Sequence, residues 1–272
     1  MQPTSASARA IDIIPPDLDL VIRVDMRRLK TMLGPDSDRQ IERLLARFQL
    51  ISQARSMDLD LWHSVLAHSQ AVWLGCRPFV GGCRDWVLVA QGDFDDVDPR
   101  TLGFPTMPTD LGGGWLRYDR KEIQVPRGAA QRVYLQPPER IVLLTRAEID
   151  AVERTLDQGD RGTELEPEAS GVIALSARPA ALASVLSPGK RAAMAWLHDI
   201  NRLDMLASPT SSELAFTFTL RFPDSNRARL AARAIEVVIK AVAEGQAGTV
   251  SAAKVEALGA VVVVRVRLEK SL

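Results

Sequence analysis

The chemistry open to this chain of 272 residues starts with its two cysteines, Cys76 and Cys83, in the stretch LGCRPFVGGC (Leu74 to Cys83). Two thiols flanking a short turn can form a disulfide, supply half a metal site, or pack as small apolar side chains. Zinc takes four ligands, usually from close Cys or His pairs. The three histidines, His63, His68 and His198, are not spaced as pairs. Thiol exchange of the thioredoxin kind needs Cys-x-x-Cys at a helix start, which is absent here. A disulfide and a pair of reduced, packed thiols remain.

Other residues with chemical potential have plainer uses. Asp93, Asp95, Asp96 and Asp98 in GDFDDVDP could attract a divalent cation, but the Gly and Glu positions of a calcium loop are missing. Asp98 ahead of Pro99 is a helix N-cap followed by proline at the first helical position. His63 and His68 fall on different faces of a helix. His198 stands beside Asp199 with no supporting nucleophile. The triple glycine in DLGGGWLRY precedes a strand, so it reads as a turn and not as a phosphate cradle at a helix N-terminus. No phosphate loop, nucleophile elbow or His-Glu-x-x-His helix occurs. The sequence therefore assigns no catalytic residue, no metal ligand and no cofactor.

The cysteines gain meaning from the strands that carry them. If QAVWLGCR and RDWVLVAQ pair around a PFVG loop, Cys76 faces Cys83 and Trp73 faces Trp86. Cross-strand aromatic pairs contribute roughly 0.2 to 1 kcal/mol each. Cysteines at a non-hydrogen-bonded pair have Cα atoms ~4.5 Å apart, within reach of a disulfide. Trp73, Phe79 and Trp86 make this hairpin a candidate interaction surface.

An internal repeat organises the rest. LVIRVDMRRLKTMLGP (Leu20 to Pro35) is echoed by GVIALSARPAALASVLSP (Gly171 to Pro188), with Asp25 and Ser176 as the corresponding N-caps. Each copy reads as strand, short helix and proline, then a longer amphipathic helix. That helix carries Ile41, Leu44, Leu45, Phe48 and Ile51 in the first copy, and Met194, Leu197, Asn201 and Met205 in the second. Strands follow from Ser69 and Ser212. The first copy continues into strands DWVLVAQGDF, GGWLRYDR, AQRVYLQ and RIVLLTR and the helix AEIDAVERTLDQ. The second continues into a helix capped by Asp224 or Ser225, whose Leu230, Ala234, Val237, Val238 and Ala241 would cover its own sheet, and ends on LGAVVVVRVRLEK. The expected fold is α+β, two related halves with mainly antiparallel sheets and helices packed on one face. Its segments are a flexible stretch 1–16, a first repeat 17–158, a linker 159–170 and a second repeat 171–272.

Composition narrows the function classes. Lys plus Arg equals Asp plus Glu at 34 each, so no overall field draws in nucleic acid. The longest strongly apolar run, Leu258 to Val264, falls far short of the ~18 residues of a membrane-spanning helix. The start, MQPTSASARAIDIIPPD, has no leader pattern, which points to the cytoplasm; a polar Ser/Thr stretch is equally the remnant expected once a leader or lipid anchor has been removed.

The order strand, short capped helix, long helix, strand, and strand running into GDFDDVDPRTL resembles bacterial exported or lipoprotein-like proteins of unknown function that carry this unit twice. The resemblance implies an extracytoplasmic, non-catalytic protein, with envelope association through a missing leader. The expectation is a non-enzymatic structural or protein-interaction domain with a protein partner. The alternative is a small-molecule or lipid binder with a pocket between the halves.

Overall fold

The structure, a computed structural model, describes residues 9–41, 56–79, 82–120, 129–158, 162–179, 181, 195–210, 213–245 and 250–269. The chain divides into two compact α+β units, Met1–Glu166 and Pro167–Leu272.

Unit 1 contains β1 (Leu20–Asp25), β2 (Ser69–Phe79), β3 (Gly82–Gly92), β4 (Thr109–Asp110), β5 (Leu116–Asp119), β6 (Arg132–Gln136) and β7 (Arg140–Leu144). They lie in the order β1-β2-β3-β7-β6-β5-β4, and each neighbouring pair is antiparallel. Every residue of β7 is buried, as its unbroken run Ile141–Leu144 requires of a strand covered on both sides. Helix α1 (Met26–Leu33) starts where the Asp25 carboxylate accepts from the Arg28 amide and stops at Gly34, whose φ of 73° suits glycine. Lys30 of α1 donates to the Leu66 and Ala67 carbonyls at the end of α2 (Ser56–His68), a cation at a helix C-terminus.

Both faces of this sheet are covered. On one, Val87, Val89, Val142, Leu144 and Tyr134 pack with the 3-10 turn Ala10–Ile13 and with Ile149, Val152 and Leu156 of α3 (Ile149–Gln158). Trp86 and Leu88 alternate with those valines and point the other way, where Trp86 meets Trp62 of α2 at 5.4 Å between ring centroids. Helices on one face only, the sequence expectation, is therefore corrected for unit 1: apolar side chains of β3 and β7 at both parities each need a cover.

The expected flexible stretch 1–16 is also corrected for its described part. Ile13 and Ile14 are fully buried with Leu18 and Val21. The expected linker docks on this segment, with the Thr163 amide donating to the Ile14 carbonyl and Leu165 buried in the same core. Gly162 lies so close to the Asp12 backbone that a Cβ there would overlap it.

Unit 2 contains β8 (Ile173–Ala177), β9 (Arg202–Pro209), β10 (Glu213–Arg221), β11 (Val250–Leu258) and β12 (Val261–Glu269), in the antiparallel order β8-β9-β10-β12-β11. Helix α4 (Ser225–Gly245) is N-capped by the Asp224 carboxylate, which accepts from the Asn226 and Arg227 amides. Its Ala228, Ala231, Ala232 and Ile235 bury against Leu220, Val262, Val264, Leu197 and Ile200.

Two sequence assignments in this unit are corrected. Asn201 and Met205 do not continue a helix, because β9 occupies Arg202–Pro209 after a 3-10 turn at Ala195–Asp199. Ser176 is a buried strand residue and not a cap; its hydroxyl donates to Asp204 at 2.7 Å on the neighbouring strand. Leu44, Leu45, Phe48, Ile51 and Met194 lie outside the described residues.

Docking of residues 10–14 and 162–165 makes the N-terminal segment part of the fold. Ile13→Ala should lower unfolding stability by about 2–5 kcal/mol and Gly162→Ala by about 1–3 kcal/mol, read by denaturant titration. Wild-type stability in either variant would place the segment outside the cooperative core.

Candidate functional site

The cysteine hairpin carries the first candidate residues. Cys76 and Cys83 are disulfide-bonded, with Cα atoms 5.8 Å apart. The register differs from the sequence expectation. Cys76 is opposite Trp86 and Pro78 is opposite Cys83, so Arg84 and Asp85 together oppose Arg77 in a β-bulge. Trp73 pairs with Val89, not with Trp86. The sequence register differs by an odd number of residues and would have put Trp86 on the wrong face.

Burial corrects the hairpin's candidate role as well. Trp86 is 4% exposed, its amide donates to the Thr145 hydroxyl at 3.1 Å, and its ring is held by Trp62. Trp73 packs against the unit 1 core under the Arg23 guanidinium, 5.6 Å from the ring centroid. Phe79 is half-buried. Two of the three side chains proposed to meet a partner thus belong to the interior.

Beside the disulfide, Arg77 bonds Glu148 and Asp17 and lies 3.6 Å from Asp85. Glu148 is almost fully buried. Burial raises its carboxyl above the usual range, and the hydrogen bond and charge of Arg77 offset this only in part. Burial also works against the Arg77 charge, yet the Glu148 and Asp17 carboxylates raise its affinity for the proton overall.

A second cluster spans β5, β6 and α3. Arg132 donates to Asp119 at 2.5 Å and to Glu153 at 2.6 Å; Tyr134 donates to the same Glu153 oxygen at 3.1 Å, and Arg117 at 3.3 Å. Burial, the largest cause, pushes the Tyr134 hydroxyl far above its usual range. The phenol stays neutral and serves as a donor. Two guanidinium groups meet two carboxylates here, so the cluster is self-neutralising and fastens α3 to the sheet. Sequence reading missed it; the alternation of Arg, Tyr and Asp in LRYD and RVYLQ was the available signal.

Of the remaining sequence candidates, Asp98 and the triple glycine have structural roles. The Asp98 carboxylate caps the turn Pro99–Leu102, accepting from the Arg100 amide at 3.0 Å and from its guanidinium, whose hydrogen bonds hold the carboxyl below its usual range. Gly112, Gly113 and Gly114 all have positive φ and turn the chain between β4 and β5. His198 is exposed, and its neighbour Asp199 accepts from Arg227 at 2.9 Å. Among the described residues no three His, Cys, Asp or Glu side chains gather as metal ligands.

The surface that stands out is on α4. Leu230, Val237 and Val238 are 67%, 70% and 41% exposed, where the sequence had them covering the sheet. The reason is helix geometry. Ala228, Ala231, Ala232 and Ile235 form the inward arc, and at 100° per residue Leu230, Ala234, Val237 and Val238 form a second arc on the outward side. Exposed Arg229, Arg233 and Lys240 border it. Ala241's side chain lies outside the described residues. An apolar stripe with a basic border can dock a partner.

The hairpin supports two measurements. Cys76 and Cys83 should resist thiol labelling until reduced, and replacing both with serine should cost about 2 kcal/mol, since the closed loop is short. Labelling without reductant would exclude the bond in solution. Glu148 keeps its proton to higher pH folded than unfolded, so its contribution to stability is complete below the ordinary carboxyl value and is lost as pH rises through the raised folded one. Thermal unfolding of Glu148→Gln and wild type across the acid range should show the variant gaining relative to wild type as pH rises; a constant difference would contradict the raised value.

No family model matches the sequence, and no curated protein matches it. Solved structures do share the fold. Crystal form IV of TP0453 aligns with a TM-score of 0.56 at 12% identity, covering 99% of this chain and 96% of that one. Crystal form I aligns with a TM-score of 0.54 at 9% identity, covering 97% and 94%. At such identities the likeness concerns the fold, over nearly the whole of both chains.

Proposed function

We propose that the chain is a non-enzymatic protein-interaction domain of an extracytoplasmic bacterial protein, with the outward stripe of α4 as its contact surface. The observation that carries this reading is the exposure of Leu230, Val237 and Val238 on one helix that is already anchored by a separate inward face. Scattered exposed apolar residues are ordinary; a run of them along one helix is the mark of a docking face. The border of Arg229, Arg233 and Lys240 suits a partner with an apolar patch rimmed by carboxylates.

The compartment rests on the Cys76–Cys83 bond, since disulfides persist in oxidising surroundings. Among the described residues no helix is long and apolar enough to cross a membrane. The resemblance to exported and lipoprotein-like bacterial proteins agrees with this placement. We also read the two units as descendants of one duplicated α+β motif. Supporting that, β1-β2-β3-β7-β6 and β8-β9-β10-β12-β11 follow one plan, three successive strands and then a hairpin added in reverse.

A photo-cross-linking residue in place of Val237, introduced in the native host, should capture an envelope protein, and Leu230→Glu should abolish the adduct. The same residue in place of Asp150 on α3 serves as control. Adducts no different from the control would remove α4 as the contact surface.

A second reading, lipid binding, draws on the same basic border. An apolar stripe flanked by Arg and Lys is also what lies on an anionic lipid surface. That reading requires co-sedimentation with phosphatidylglycerol vesicles but not with phosphatidylcholine ones, and its loss in Leu230→Glu.

A further inference from the structure

The edge of unit 2 carries a pattern that α4 does not account for. β11 is the outermost strand of the order β8-β9-β10-β12-β11, and it is nine residues long. The outermost strand β4 of unit 1 has only two. A long edge leaves a row of backbone groups able to pair with another strand, and proteins usually shorten, bend or charge such edges.

The regular part of β11 has an internal symmetry. Its ladder with β12 shifts between Val250 and Ala252, where the Ser251 hydroxyl turns to Glu213 at 2.6 Å. Uninterrupted pairing then runs from Ala252 to Leu258, with Val255 in the middle. Lys254 and Glu256 flank that midpoint, on the face opposite to Val255.

We propose that β11 is the pairing edge of a symmetric dimer, in which two copies of this chain join Ala252–Leu258 antiparallel about a two-fold axis at Val255. In that register Lys254 stands opposite Glu256 of the second copy, and the pair occurs twice by symmetry. Val255 meets its own copy, Ala253 meets Ala257, and Ala252 covers Leu258, which is 60% exposed in the single chain. No position sets like charges against each other. A register shifted to centre on Lys254 would oppose two ammonium groups, so the charges select one alignment. The side chains on the helix-side face are alanine and valine, small enough to leave the strand edges within hydrogen-bonding distance. Isologous pairing of this kind closes as a dimer and leaves no further edge of β11 to polymerise.

Within one chain, Glu256 already bonds Lys254 and Arg265. Those bonds hold its carboxyl below the usual range, so it is an anion throughout the neutral range. Arg265 is directly across from Lys254 on β12. Exchanging the two charges therefore leaves Arg265 a carboxylate within reach, and the fold is not at stake.

The test is a charge exchange on the whole 272-residue chain, with association followed by sedimentation equilibrium over a concentration series. Wild type should show a reversible monomer–dimer equilibrium. Lys254→Glu alone and Glu256→Lys alone should each weaken it by about tenfold or more, since two attractive pairs become repulsive. An equimolar mixture of the two single variants should associate again, and so should the double variant K254E/E256K. Circular dichroism confirms that each variant is folded. A monomer at every concentration overturns the proposal, as does a dimer that the single reversals leave unchanged or that mixing fails to restore. The α4 surface is read separately by cross-linking at Val237, so either proposal can fall without the other.

Discussion

The ladder between β2 and β3 has to bury apolar side chains on both of its faces, and much of unit 1 follows from that demand. Val87 and Val89 meet the N-terminal turn and α3, while Trp86 and Leu88 point to the side of α2. Strand side chains alternate, so sliding one strand by a single residue would reverse all of these assignments. The register is therefore held from two sides. It cannot also bring Cys76 directly opposite Cys83. The bulge at Arg84 and Asp85 reconciles the two requirements, adding a residue to β3 so that the ladder resumes at Pro78 and Cys83 while the disulfide spans the irregularity. Arg77, opposite the bulge, bonds Glu148.

Glu148 and Glu153 belong to one structural theme. Both sit at or just before α3, and both tie it to the sheet through guanidinium groups, Arg77 in one case and Arg132 with Arg117 in the other. Burying a carboxylate is costly, and its partners return part of that cost as fixed geometry. Glu148 and Glu153 thus hold α3 to the sheet. Glu148 has a raised proton affinity, a feature that in a cleft would suggest catalysis. Beside Arg77 and under the N-terminal segment it is better explained as an incompletely compensated structural ion pair.

Unit 2 distributes its side chains differently. Its helix meets the sheet through Ala228, Ala231, Ala232 and Ile235, an arc that does not include Leu230, Val237 or Val238. Leu230, Val237 and Val238 are turned outward, and the sheet ends in a long strand of mostly small residues with one alternating charge pair.

Several elements were readable in the sequence because their signals are local. Asp25, Asp98 and Asp224 cap the elements expected of them, RIVLLTR contains the expected strand β7, and the triple glycine is the expected turn, with positive φ. These depend on a few neighbouring residues and on backbone chemistry that any environment would respect. Other features were set only by tertiary packing. β9 looked helical because Leu197, Asn201 and Met205 recur every fourth residue, yet Leu203, Met205 and Ala207 alternate once β8 and β10 stand on either side. The inward face of α4 was assigned to Leu230, Ala234, Val237, Val238 and Ala241 from their helical spacing, whereas Ala228, Ala231, Ala232 and Ile235 pack against the sheet. The sequence left Cys76 and Cys83 open between a disulfide and packed thiols and put them in the wrong register, since the turn suggested one alignment and the two buried faces of β3 imposed another. Local sequence determined where elements begin, end and turn; which side chains face inward was decided by contacts between residues far apart in the chain, because burial belongs to the assembled layers and not to any one segment.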